Sequence, residues 1–393
     1  MGARSRPALF AFLFYCAVTV AITWPLATDP ATLTLPNFDV YGNAWALAWV
    51  VHQGTTDPLH LFDSNMFFPH RRSLAFAESL LSQAAEAAPV LLLGGSPLLA
   101  HNVVLLLSFP LSGLGAFLLA RDLTGSRAGA LLAGLGFTTC VYRFHHLVHL
   151  QSLSIQWLPF ALVFLRRSLR EGGRGNLAAL AAFSLLQALS SGYYAVLLAV
   201  ALGLTLAWEA RDAWRRRKLW PAVATLAAAG ALSLVAYLPY RTVRADQQAL
   251  TGRTMSRALP ALTRWSARWS SYLDPGIYIG SPHQVMLARR FASPEPLYAG
   301  AVVLGLAAIG LAAGRPRREV AGVALLGAAG VLLSLGPEIA LGPFSVPGPM
   351  RLLHALPAVS LLRTPGRLGV LAVLAADLLA AFGWNRLVGG HRR

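Results

Sequence analysis

Ten apolar runs separated by short polar connections dominate the chain. They cover about 8–28, 100–120, 127–142, 151–169, 176–190, 191–210, 219–240, 297–314, 319–336 and 363–385. A helix needs roughly 20 apolar residues to cross a bilayer, so the pattern predicts about ten transmembrane helices. The fifth and sixth runs are joined through Ser190, Ser191 and Gly192, where the boundary is least marked. A further apolar stretch at 87–99 is broken by Gly94, Gly95 and Pro97, and predicts a segment that dips into the membrane without crossing. The run from Ala44 to Val51 has helical length but is too short to span. With Trp45 and Trp49 as anchors it predicts a helix lying at the membrane interface. The expected fold is an all-α, polytopic integral membrane bundle, one transmembrane domain over 1–393, with interfacial helices on its external face.

Composition agrees. Hydrophobic residues make up 56% and charged residues 12%, against roughly 25% charged in soluble domains. Too few charges are present to cover a soluble fold. The two cysteines, Cys16 and Cys140, both fall in apolar runs, so no disulfide framework is expected. The net charge is +17, and all but one of the 33 basic residues are arginine. In a soluble protein this would suggest nucleic acid. Here the charges lie between apolar runs, which makes anionic membrane lipid the expected partner and nucleic acid an unexpected one.

Charge also orients the chain. With the N-terminus inside, 19 of the 33 basic residues fall in the short cytoplasmic segments, and 10 of the 16 acids fall outside. The positive-inside rule therefore places both termini in the cytoplasm. Arg4 and Arg6 before the first run resemble a signal peptide, but the run is long and lacks a small-residue cleavage site, so it reads as an uncleaved helix. The external segments are long: a first loop at 29–99, a second at 241–296 with eight arginines, and a third at 337–362 rich in Pro and Gly. Function concentrates in long ordered loops.

The first loop carries Asp39 just before the interfacial helix, in Asn37-Phe38-Asp39-Val40-Tyr41. Asp39 reads either as a helix cap or as a catalytic base at the membrane surface. Glu78, among apolar neighbours, is a second acid, a metal ligand or a surface charge. The turn Tyr142-Arg143-Phe144-His145-His146-Leu147-Val148-His149 would put His145, His146 and His149 on one helical face. Such a group suits a metal or a proton shuttle, or simply sits at the wet interface. Arg363 and Arg367 flank Thr364-Pro365-Gly366 at the external entry to the last run, and form a candidate anion site that Arg241 and Arg244 would join. Phosphate-binding glycine loops, Gly-x-Ser-x-Gly and His-Glu-x-x-His are absent.

These segments, in this order, resemble the C-type (GT-C) membrane glycosyltransferases of a poorly characterised bacterial branch. The resemblance runs through Asp39 and Trp45, Asn65–Pro69, Glu78, Tyr142–Gln151, Gln156-Trp157-Leu158-Pro159, Glu295-Pro296-Leu297-Tyr298, Ser334-Leu335-Gly336-Pro337 and Arg363–Arg367. It implies transfer of a sugar from a polyprenyl-phosphate carrier to a glycan, lipid or protein acceptor on the external face. Asp39 would be the catalytic acid/base and Glu78 a second catalytic acid, while Arg143, Arg363, Arg367, Tyr41 and Trp45 would bind substrate. A divalent metal (Mg, Mn or Zn) is a candidate cofactor, with His145, His146 and His149 as candidate ligands. The Ala/Leu/Arg-rich, nearly lysine-free composition points to a high-GC bacterium and hence to its inner membrane. A transporter or flippase of an anionic lipid or glycan, or a non-catalytic assembly subunit, is the alternative expectation. A transporter should carry charge near the bilayer midplane, where only Asp377 falls.

Overall fold

The computed structural model describes residues 6–251, 259–279, 288–290, 295–356, 359 and 362–389. The chain is mostly helical, in the order α1 (Arg6–Ile22), α2 (Phe38–Thr56), α3 (Leu81–Leu92), α4 (Pro97–Thr124), α5 (Arg127–Thr139), α6 (Val141–His145), α7 (Leu150–Leu153), α8 (Trp157–Arg170) and α9 (Arg174–Ser190). There follow α10 (Gly192–Arg215), α11 (Leu219–Ala236), α12 (Leu238–Thr251), α13 (Leu259–Arg264), α14 (Ala301–Ala313), α15 (Arg317–Ser334), α16 (Pro349–Leu353) and α17 (Val370–Gly389). Two small antiparallel strand pairs depart from the all-α expectation: β1 (Ile277–Ile279) with β2 (Ala288–Arg290), and β3 (Glu338–Leu341) with β4 (Phe344–Pro347). Of the long second loop expected at 241–296, residues 252–258, 280–287 and 291–294 lie outside the described residues, as do the basic residues Arg4, Arg392 and Arg393 at the two ends.

Each of the ten predicted spans contains a helix. Among the described residues four helices are long and apolar enough to cross a membrane: Pro97–Thr124, Gly192–Arg215, Leu219–Asp246 and Pro365–Val388. The other six fall short of that standard. Helices α5 and α8 have 13 and 14 residues, which at 1.5 Å per residue gives only about 20 Å.

Local chemistry sets the boundaries. Pro97 opens α4 at a position where its missing N–H is not needed, and Ser96 accepts from the Leu99 N–H. Gly125, at φ 70°, closes the same helix in the left-handed region, and Ser126 at once caps α5 by accepting from Gly129 N. The break between the fifth and sixth spans falls at Ser191, which is extended and caps α10 through Tyr193 N. The 87–99 stretch is an elbow: α3 ends at Leu92, Gly94 turns at φ 88°, and α4 begins and packs back on α3.

Helix α17 is the axis of the bundle, packed by α14, α15, α5 and α4. Its apolar window is 83% buried, against 17% for the helix from Leu219 to Asp246 on the periphery. Small residues make the central crossing close. A methyl group on Gly310 would collide with the Leu379 carbonyl, and one on Gly383 with the Leu306 carbonyl. In lipid such close backbone approach replaces the hydrophobic drive that packs helices in water.

At one end of the bundle a buried charge cluster locks three helices. Arg166 of α8 reaches Glu209 of α10 at 3.0 Å and Glu319 of α15 at 2.6 Å, and Arg170 reaches the same two acids at 2.7 and 2.5 Å. Arg167 forks onto Asp122 of α4. These arginines, expected as lipid anchors, are paired with protein carboxylates. Removing one partner from a buried set of this kind leaves an uncompensated charge, at a cost of about 3–5 kcal/mol.

Candidate functional site

At the other end of the bundle, three segments far apart in sequence converge: the start of α2, the α6–α7 turn, and the entry to α17. The segment between α1 and α3 is fixed over the bundle by its own polar contacts. Trp45 Nε1 donates to Asn65 Oδ1 at 3.2 Å, and Trp49 Nε1 to the Leu61 carbonyl at 2.9 Å. The two indoles stack at 6.4 Å. Glu86 of α3 accepts from Gln156 and Trp157 at the head of α8, which accounts for that Gln-Trp pair, and burial pushes its carboxyl up to about 7.

Asp39 lies in the first turn of α2. The cap of that helix is Asn37, whose Oδ1 accepts from Asp39 N at 2.8 Å. The Asp39 carboxylate is therefore not the cap; it is half exposed, with Oδ2 3.4 Å from His149 Nε2. Asn43 of the same helix donates to the Val148 carbonyl at 3.3 Å and holds the histidine turn against α2.

The histidines do not share one helical face as expected. Helix α6 ends at His145, residues 146–148 form a turn, and α7 starts at Leu150. The Val148 carbonyl goes to Asn43 instead of a helical N–H. The turn lays the rings in series: His149 Nδ1 is 3.4 Å from His146 Nδ1, and His146 Nε2 is 2.9 Å from Glu295 Oε2. The His145 ring packs edge-on to that of His146 at 4.8 Å. Glu295 Oε1 in turn lies 3.9 Å from Arg367 Nε. The result is a polar chain from the exposed Asp39 through His149 and His146 to the buried Glu295 and Arg367.

Electrostatics grade this chain from wet to dry. Burial, then the nearby Arg367 charge and His149, hold His146 well below the ordinary histidine range, and burial and Arg367 lower His149 as well. Both rings are neutral at pH 7. Burial raises the Glu295 carboxyl to about 7, with the Arg367 charge opposing the rise. One tautomer order fits the chain: a protonated Glu295 donates to His146 Nε2 and His146 Nδ1–H to His149 Nδ1, which leaves His149 Nε2–H facing the Asp39 carboxylate at 3.4 Å without hydrogen-bond alignment.

Arg367 is almost enclosed, its guanidinium 5.0 Å from the centre of the Tyr193 ring. Among the described residues its Nε is buried without a hydrogen-bond partner, since 3.9 Å is an ion-pair distance only. The Tyr193 hydroxyl accepts from the backbone N–H groups of Arg363 and Thr364 at 2.9 and 3.2 Å. Arg363 is exposed, with its guanidinium 5.8 Å from the Trp265 ring. Tyr193 thus fixes both arginines at the entry to α17.

Other expected site residues lie elsewhere. Arg143 turns away: it is fully buried, donates to Ser112 Oγ at 2.9 Å and Ser108 Oγ at 2.8 Å, and stacks on Phe109 at 4.2 Å. Its role is to lock α6 onto α4. Glu78 accepts from Ser191 Oγ at 3.1 Å and Gly192 N at 3.2 Å, and so sits on the N-terminus of α10. Burial raises its pKa, and the hydrogen bonds and the Arg367 charge oppose that. Tyr41 is exposed on α2, and the Trp45 indole is engaged by Asn65.

Tyr193 is a site residue that the sequence does not single out, and Glu295 enters the sequence reading only within the Glu295–Tyr298 segment of the resemblance, with no role given to it. Glu295 carried one signal, an isolated acid beside Pro296 at the edge of an apolar span. Tyr193 carried only its place directly after a helix break. In comparisons with known proteins, no family model and no curated sequence matches this chain.

Proposed function

We propose that this chain is a GT-C type glycosyltransferase that moves a sugar from a polyprenyl-phosphate carrier to an acceptor hydroxyl on the external face of a bacterial inner membrane. The observation that carries the reading is one juxtaposition. An exposed carboxylate, Asp39, stands at one side of a polar cluster, and two arginines, one with an unsatisfied buried donor, stand at the other. A phosphate supplies acceptor atoms to Arg363 and Arg367 in the planar geometry guanidinium favours. In the reaction Asp39 takes the proton of the acceptor hydroxyl as its oxygen attacks the anomeric carbon. The bond from that carbon to the phosphate oxygen breaks, and the arginines neutralise the departing lipid phosphate. His149 holds the Asp39 carboxylate in position.

The test is the lipid that co-purifies in mild detergent. The Asp39→Asn protein is expected to retain a polyprenyl-phosphate sugar, identified by mass spectrometry, that the wild type consumes when acceptor extract is supplied. Absence of any polyprenyl lipid from both proteins, even after addition of donor extract, overturns the reading.

The same proposal has all ten helices crossing the bilayer, with both termini in the cytoplasm. The short helices would be accommodated by local thinning and by their packing against α17. A cysteine at Ser64 should then react with an impermeant maleimide on intact cells, and one at Arg215 only after permeabilisation. The reverse pattern rejects the orientation.

One observation favours a transporter instead. Asp377, midway along α17, is fully buried, and neither oxygen has a hydrogen-bond partner among the described residues. Unpaired intramembrane acids are often functional, but the arginines and the histidine chain gather at the end of the bundle, which weights the proposal towards group transfer.

A further inference from the structure

The structure assigns a divalent-metal site to His145, His146 and Glu295, with zinc as the cation it suits best. The donor atoms of these three residues all lie within 4.8 Å of one another. In a four-coordinate zinc site, bonds of about 2.0–2.1 Å place ligand atoms roughly 3.4 Å apart. The His146–Glu295 pair, hydrogen-bonded at 2.9 Å, has to open by about 0.5 Å, and the His145 ring, only partly buried, has to close by no more than about 1.5 Å to match. Two imidazoles and one carboxylate leave a fourth position open. This donor set favours zinc or cobalt over magnesium, which prefers an all-oxygen shell.

The site differs from the one the sequence suggested. His149 is not a ligand, because its Nδ1 faces His146 Nδ1 and its Nε2 faces Asp39. It serves as the partner that orients a metal-binding imidazole, a role usually filled by a carboxylate or carbonyl. Here it passes that role on to Asp39. Glu295 binds through Oε2 while Oε1 stays beside Arg367. Metal binding displaces the proton shared between His146 and Glu295 and releases it. The inference uses residues of the transfer site but does not depend on sugar transfer, because the cation is measured without donor or turnover.

The experiment uses the full-length chain in detergent, stripped by chelator and then titrated with Zn²⁺, Co²⁺, Mn²⁺ and Mg²⁺ by calorimetry in buffers of different ionisation heat. The metal content after dialysis is read by mass spectrometry. The expected result is about one zinc per chain, proton release on binding, and visible d–d bands of a four-coordinate site with cobalt. Glu295→Gln and His145→Ala should each abolish stoichiometric zinc. His149→Gln should retain it with affinity lowered by about 10–100-fold. The assignment is overturned by failure of the wild type to hold zinc, by magnesium binding as tightly as zinc, or by His149→Gln losing as much as Glu295→Gln. Should a variant fail to fold, judged by gel filtration and helical circular dichroism, the wild-type cobalt spectrum decides.

Discussion

Replacing Asp39 by Asn should lower the rate of sugar transfer by about 10²–10⁴-fold, the usual contribution of a positioned general base. Asn has the shape of Asp but cannot accept the acceptor's proton. The alternative role for Asp39, stabilising the N-terminus of α2, predicts a different pattern. The cap belongs to Asn37, so the carboxylate adds only its interaction with the helix dipole, about 0.3–1 kcal/mol for a surface position. Single-turnover transfer with a synthetic polyprenyl-phosphate donor should therefore collapse while the thermal midpoint in detergent barely moves. Equal activity in variant and wild type would remove Asp39 from the chemistry and return it to a structural role.

Removing the Arg367 side chain should be the other large loss, about 10²–10³-fold in kcat/KM, as for a single preorganised donor to a developing oxyanion. The guanidinium is enclosed and stacked on Tyr193, so little reorganisation is needed when charge appears on the leaving phosphate. Arg367→Lys keeps the charge but not the planar fork, and should recover part of the loss. Arg363→Ala, at an exposed position, should raise KM for the donor with a smaller effect on kcat, because a screened surface charge steers and binds more than it stabilises a transition state. Arg367→Ala also strips Glu295 of its cation, so folding must be checked by gel filtration. A well-folded Arg367→Ala protein with wild-type kcat/KM would disprove a phosphate-binding role for this arginine.

One charge, that of Arg367, acts across the whole site. Arg367 acts on Glu295, His146 and His149 at once. Burial lowers both imidazoles and the Arg367 charge adds to that, while at Glu295 the same charge opposes the rise that burial causes. A neutral imidazole is both a metal ligand and a two-ended proton carrier, so the proposed transfer chemistry and the proposed cation draw on the same property of the cluster. Glu78, seated on the N-terminus of α10, feels the same charge and links the position of that helix, and with it Tyr193, to the segment between α2 and α3.

Much of the architecture is legible in the sequence. Each of the ten apolar runs, bounded by capping serines, prolines and glycines, contains a helix, because a backbone in apolar surroundings has to satisfy its polar groups within the segment. Ser96-Pro97 and Gly125-Ser126 mark boundaries by their own chemistry. Arg363, Arg367, Asp39 and the histidines stood out as polar groups beside apolar spans, and they do meet. Apolar pattern does not fix helix length, so α5 and α8 came out shorter than their runs. The direction in which a side chain points was also hidden. Arg143 and Arg367 look alike in sequence, yet Ser108 and Ser112 of α4 draw the first into the core while Tyr193 of α10 holds the second in the site. The histidine turn likewise follows from Asn43 capturing a carbonyl 105 residues away. Glu295 became a site residue only when packing brought α17 and the α6–α7 turn to it. Local sequence determines where a helix begins and which face is apolar. The partners of each buried polar group are set by long-range contacts, and only the tertiary structure decides them.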